Sequence, residues 1–214
     1  MTPGPVVPAA AEAVYVSKTL AKVFAAVHAR PVAVLVDLGP AIGSNISYLG
    51  ERVGCKIHVG DLYADLARHK RDGTFDRLPE FLGKRFTLSD GSVDAVLCWD
   101  LFDCLGPAAG GVLAKELIRL LRPGGLLLGF FGARASEETR YTKYFIEDES
   151  RLRYRFYMGA GCRRRVLQSR DIDTLFHDLQ LSDSILMTPR LREVLFRKRE
   201  SGPTVRSGPA AEHI

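Results

Sequence analysis

The chain has 214 residues, enough for one domain with a full hydrophobic core and cramped for two. Hydrophobic residues at 46% and charged residues at 26% are ordinary globular composition, and no apolar run approaches the roughly 20 residues that span a bilayer. The formal charge of +5 is unevenly placed: Arg151 to Arg170 holds seven arginines and no acid, an excess that suits an anionic partner such as nucleic acid, or equally a solvated hairpin face. Met1-Thr2-Pro3-Gly4-Pro5 lacks the basic flank and apolar core of a secretion signal. Cys55, Cys98, Cys104 and Cys162 form no CxxC pair, so they are expected as reduced, buried thiols in a cytoplasmic protein.

Residues 1–11 and 201–214 are Pro-, Ala-, Gly- and Ser-rich and read as flexible ends around a domain over 12–200. Val16, Leu20, Val23, Phe24 and Val27 recur at helical spacing, and Pro31 stops that helix. Val32 to Val36 is a continuous apolar run, the mark of a strand buried on both faces. A short helix over about 44–52 is closed by Gly54, a strand follows over 56–60, and a helix over 64–71. Val93 to Trp99 is another strand, followed by a helix through Leu113, Leu117 and Leu121. Pro123-Gly124-Gly125 is the turn into the apolar strand Leu126 to Phe131. Strand and helix in alternation, with wholly apolar strands, predict a parallel sheet covered on both faces.

Beyond that point the pattern changes. Arg151, Arg153 and Arg155 alternate with Leu152, Tyr154 and Phe156, which predicts a strand with one wet face. Met158 to Gly161 is read as a turn into a second strand over 163–167. Ile172 to Leu179 is read as a helix capped by Ser169, and Ser184–Met187 and Glu193–Arg197 as two strands joined near Pro189.

An open parallel sheet binds its ligand at the carboxyl ends of its strands. The first buried strand ends in Asp37-Leu38-Gly39-Pro40-Ala41-Ile42-Gly43-Ser44. Gly39 allows a tight turn and close approach of a ligand to the backbone. Gly43 allows close packing where the helix begins, and the N–H groups there favour an anionic group. A dinucleotide turn reads G-x-G-x-x-G, but counting from Gly39 the next two glycines fall on Ala41 and Ser44. Asp37 would also repel a pyrophosphate and suit a cationic or amine-bearing ligand.

At these residues the sequence resembles the class I S-adenosylmethionine-dependent methyltransferases. Their first motif is an acidic residue followed by G-x-G-x-G, met by Asp37, Gly39 and Gly43 with Ala41 in place of the middle glycine. Lys56 to Leu62 resembles the second motif, with Asp61 implied on the ribose hydroxyls and Leu62 beside the adenine. Ser89 to Leu97 resembles the approach to the family's fourth strand, and Leu121 to Leu127 the stretch leading into its fifth. The resemblance spans residues 30–132. It implies a single-domain, Rossmann-like α/β fold with a mostly parallel seven-stranded sheet, helices on both faces and an antiparallel last strand. It also implies S-adenosylmethionine as cofactor and a lid or substrate insertion over about 133–168, ringed by Tyr141, Tyr144, Tyr154 and Tyr157.

Asp37, Gly39, Pro40, Gly43, Asp61, Leu62, Trp99 and Asp100 are the implied cofactor-binding residues. The acidic residue that takes the adenine amino group in many relatives falls near Leu82; either apolar contact replaces it, or Asp76 or Glu80 does. Trp99 reads as core that could border the pocket, and Asp100 as structural or beside the methionine part of the cofactor. Asp103 reads first as a helix cap and second as a base, and no catalytic residue stands out. The five histidines lack ligand spacing, so no metal site is argued. After the strand Val93–Trp99 the chain has Trp99-Asp100-Leu101-Phe102 and not the Asn-Pro-Pro-Tyr of many nucleic-acid and glutamine methyltransferases. The expected acceptor is therefore a small molecule, with an RNA- or DNA-binding enzyme and a non-catalytic scaffold as alternatives. Oligomeric state is not legible, and no membrane partner is expected.

Overall fold

The computed structural model describes residues 13–133, 140–158, 164–188 and 191–200. The ends expected to be flexible, 1–11 and 201–214, lie outside the described residues, as do Gly159 to Gly161 and Pro189 of the two expected turns.

The chain opens with β1 (Ala13–Val16) and α1 (Leu20–His28). Val16 thus belongs to a strand and not to the helix that its spacing predicts. The cause is a carboxylate from the far end of the chain. Glu193, fully buried, accepts from the Tyr15 hydroxyl at 2.9 Å, from the Lys18 and Thr19 N–H groups at 3.2 and 3.1 Å, and from the Ser17 and Thr19 hydroxyls. Residues 17–19 wrap around it, and the helix begins only after them.

Then come β2 (Val34–Asp37), α2 (Gly43–Ser47) with a wider helical turn over Tyr48–Val53, and β3 (Lys56–Val59). Gly54 closes the wide turn at φ 71°, as its position predicts. Next are α3 (Leu62–Arg71), α4 (Leu78–Lys84), β4 (Val93–Trp99), α5 (Pro107–Leu120) and β5 (Leu121–Gly132). The expected turn at Pro123-Gly124-Gly125 is a bulge inside β5: Val93 pairs with Leu121 and Ala95 with Leu126, and Gly124 takes φ 76° to absorb the extra residues.

The last elements are β6 (Arg140–Ile146), β7 (Arg151–Met158), α6 (Ser169–Leu175), β8 (Leu179–Thr188) and β9 (Leu191–Lys198). Here the sequence reading needs three corrections. β7 pairs with the preceding β6, and with β1 on its other edge, rather than with a strand over 163–167. The cap of α6 is Gln168, in a capping box with Asp171, and Ser169 is the first helical residue. Leu179 starts β8 instead of ending the helix.

The main sheet has the order β3-β2-β4-β5-β9-β8, with β2 to β5 parallel and β9 antiparallel to both neighbours. The alternating pattern and the antiparallel last strand are as expected. The sheet counts six strands among the described residues, not seven: residues 85–92 form no strand, and Arg85 reaches only Gly60 O, just past β3, at 2.8 Å. Arg119 holds this segment against α5, donating to the carbonyls of Leu88 at 3.1 Å and Phe86 at 3.4 Å and to the Asp90 carboxylate at 2.5 Å. Leu82, placed by counting at a strand end, lies in α4.

Alternate residues of the buried strands feed two cores. Leu35, Leu97, Leu126 and Leu128 pack against α1 and the wide turn, through Val23, Phe24 and Leu49. Val36, Val96, Cys98 and Leu127 pack against α3, α4, α5 and α6, through Leu66, Leu82, Leu117 and Ile172. The second, three-stranded sheet β1-β7-β6 places Tyr144 and Leu152 in the first core, beside Trp99 at the carboxyl end of β4.

Candidate cofactor cleft

The turn after β2 brings most of the singled-out residues together. Asp37 ends the strand at 3% exposure, and its Oδ1 accepts the Gly39 N–H at 2.9 Å. Gly39 and Pro40 are buried, while Gly43 is exposed and a Cβ there would meet nothing within 4 Å. Gly43 therefore does not make the close packing expected of it.

Asp61 stands across from this turn at the end of β3, in the left-handed region at φ 40°. Its Oδ1 accepts the Ala64 N–H at 3.2 Å and caps α3, while Oδ2 accepts the Ala41 N–H of the turn at 3.3 Å. The carboxylate is half-buried and joins the two walls of the cleft. Leu62, its neighbour, is 2% exposed within the larger core. Asp76 and Glu80 are exposed, and Glu80 accepts from Lys84 Nζ at 2.8 Å.

At the other end of the cleft β4 delivers Trp99 and Asp100. Trp99 takes φ 51° and donates its indole N–H to Asp37 Oδ1 at 2.6 Å. Burial pushes the Asp37 carboxyl up to about 6, against the lowering effect of the Trp99 and Gly39 donors. Asp100 is fully buried and accepts from four side chains: the hydroxyls of Tyr63 at 2.5 Å, Thr142 at 2.7 Å and Tyr144 at 3.1 Å, and the guanidinium of Arg164. Burial works against the Arg164 charge, but Asp100, Tyr144 and Asp103 outweigh it and raise its pKa.

Asp103 is not a helix cap. The cap of α5 is Gly106, and Asp103 Oδ2 instead accepts the Gly132 N–H at 2.8 Å, tying the end of β5 to the turn after β4. Its Oδ1 and the neighbouring Arg164 Nε are buried without a partner. Burial drives the Asp103 carboxyl up to about 7, with Asp100 adding to the rise and Arg164 and the Gly132 donor opposing it. Cys104, next in the chain, is disulfide-bonded, which corrects the expectation of reduced thiols; Cys55 and Cys98 are free.

The sequence reading missed Tyr63, Thr142, Arg164 and Asn45. Arg164 sits in a run of three arginines with nothing to mark the one that turns inward. Asn45 of α2 grips β6, donating from Nδ2 to Tyr144 O at 2.7 Å and accepting the Ile146 N–H at 2.9 Å on Oδ1. The other arginines are partly neutralised: Arg151 pairs with Asp148 at 2.6 Å and Arg153 with Glu147 at 3.0 Å. Among the described residues no helix is long and apolar enough to cross a membrane, and no group of three or more His, Cys, Asp or Glu side chains could hold a metal ion.

Parallel strand order, an acidic turn after the first sheet strand and a carboxylate closing the second define a Rossmann-like methyltransferase fold. Residues 36–129 match the family model described as a methyltransferase domain. No curated protein matches the chain in sequence. Among solved structures, the chain is similar to a geranyl diphosphate methyltransferase in complex with GPP and sinefungin, at 12% identity over 84% of this chain and 76% of that one, with a TM-score of 0.52. It is similar to the [4+2]-cyclase SpnF at 10% identity over 92% and 89%, with a TM-score of 0.51. A Burkholderia thailandensis 1,6-didemethyltoxoflavin-N1-methyltransferase gives 18% identity over 86% and 80%, with a TM-score of 0.49. At such identities the likeness shows the fold alone, and the site must carry the chemistry.

Proposed function

We propose that the chain binds S-adenosylmethionine in the cleft between the Asp37–Gly43 turn and Asp61, and that it methylates a small-molecule acceptor. The observation that carries this is Asp61: a half-buried carboxylate in left-handed backbone at a strand end, bridging the turn and the start of α3. A carboxylate held by only two backbone N–H groups keeps acceptor capacity for a diol such as the ribose. Gly39, Pro40 and Gly43 shape the turn beside it, Asp37 offers its charge to an ammonium group, and Trp99 and Asp100 border the amino-acid tail. Leu62 backs the adenine side from within the core.

The cofactor supplies a sulfonium methyl that is already activated. The protein's work is then alignment, exclusion of water and management of one proton. Asp103 is suited to hold that proton on Oδ1: it has no partner there, and burial places its carboxyl near neutrality, where a general base works best. A small acceptor fits better than nucleic acid because three arginines of the basic stretch, Arg151, Arg153 and Arg164, are engaged by acids. Transfer of labelled methyl from S-adenosylmethionine to a panel of small hydroxyl and amine compounds, with RNA and DNA alongside, tests the assignment. Label is expected on a small molecule; label on nucleic acid alone would reject the acceptor class.

A further inference from the structure

The part of the turn that an amino-acid tail must reach is already covered by the chain's own indole. A Cβ built on Gly39 would lie 2.6 Å from Trp99 Cδ1 and 2.7 Å from Nε1. The ring therefore lies against the face that the missing side chain leaves open. Its N–H occupies Asp37 Oδ1 at 2.6 Å, and its backbone is held at φ 51°, a region that bulky residues rarely adopt. Tyr144 stacks on the indole with centroids 5.1 Å apart and planes 10° from parallel. Tyr144 belongs to β6, whose Thr142 and Tyr144 hydroxyls end on Asp100 and whose backbone Asn45 holds against α2. Turn, indole and hairpin are thus one connected unit.

We propose that Trp99 is a displaceable plug of the subsite for the cofactor's amino-acid tail: the indole N–H stands on Asp37 where the ammonium of the tail binds, and it leaves, with Tyr144 and β6, as the cofactor enters. This rests on the function proposed above. Two neutral N–H donors leave the charge of a buried carboxylate uncancelled, whereas an ammonium both bonds to it and neutralises it. A buried indole needs an acceptor for its N–H in any case; what a ring that only filled core would not need is left-handed backbone to reach that acceptor on the ligand turn.

Trp99 is the one tryptophan in the chain, so its emission reports its own position. S-adenosylhomocysteine titrated into the full-length protein is followed by calorimetry and by tryptophan emission together. Emission is expected to change with the calorimetric curve. Trp99→Ala is expected to raise apparent affinity about tenfold or more, since a closed majority state no longer taxes binding. Tyr144→Leu, which keeps the indole and removes its stack, shifts affinity the same way by less. Calorimetric binding with unchanged emission, or Trp99→Ala no tighter than wild type, overturns the plug and leaves the cofactor assignment standing. Absence of binding in wild type and in both variants overturns both. If Trp99→Ala does not fold, the wild-type emission decides.

Discussion

The two ends of the cleft are built in opposite ways. At the Asp61 end the carboxylate is half-buried, its partners are backbone N–H groups, and Gly43 opens onto empty space. At the Trp99 end Asp37 and Asp100 are buried, and their bonds run to Trp99, Tyr63, Thr142, Tyr144 and Arg164 of the same chain. The first end keeps the acceptor capacity that the proposed ribose hydroxyls would use. The second is dry and self-satisfied, and a ligand there must replace bonds rather than add them.

The sharpest break between the two ends comes from removing one carboxylate from each. Asp100→Ala strands the buried Arg164 guanidinium and three hydroxyls, so a loss of about 3–5 kcal/mol is expected in urea unfolding. Asp61→Ala loses a cap, about 1 kcal/mol. Similar losses would erase the contrast.

The pH dependence of stability comes next, on the order of a few kcal/mol. Burial raises the Asp37 and Asp103 carboxyls from 3.8 to about 6 and about 7, so between those values the folded state binds more protons than the unfolded one. Their contribution is complete below about pH 4 and falls as pH rises, ending near pH 7. Asp103→Asn is expected to flatten the upper part of that fall; an unchanged profile would mean that Asp103 is ionised in the fold.

The glycines separate the ends on a finer scale. Gly39→Ala drives a Cβ into Trp99 and is expected to cost about 1–3 kcal/mol. Gly43→Ala, with open space around it, is expected to change stability by less than about 0.5 kcal/mol. A costly Gly43→Ala would show that close packing, and not access, fixes that position.

The open end was legible in the sequence because its residues are local: Asp37, Gly39 and Gly43 lie in one turn, and Asp61 ends the next strand. The alternating parallel core was legible for the same reason, through apolar runs such as Val32 to Val36, although the strand begins only at Val34 and Val32 itself is exposed. The closed end was not. Arg164 reaches Asp100 across 64 residues and Thr142 across 42, and nothing in an alternating segment reveals which residues it covers. Glu193 likewise reshapes residues 15–19 from the other end of the chain. The segment expected to supply a further strand is held by Arg119, a side chain about 30 residues away that leaves no local trace. Trp99 was named, yet its strain and its bond to Asp37 exist only in three dimensions.

The most direct measurement is equilibrium binding of S-adenosylmethionine to the purified full chain, with Asp61→Asn beside it. Asparagine keeps the cap and the left-handed backbone but removes the charge, so the unfolding midpoint should hold. One cofactor per chain, bound about tenfold or more weakly in Asp61→Asn, is the predicted result. No binding to the wild type, or binding that Asp61→Asn leaves untouched, would contradict the assignment of the cleft.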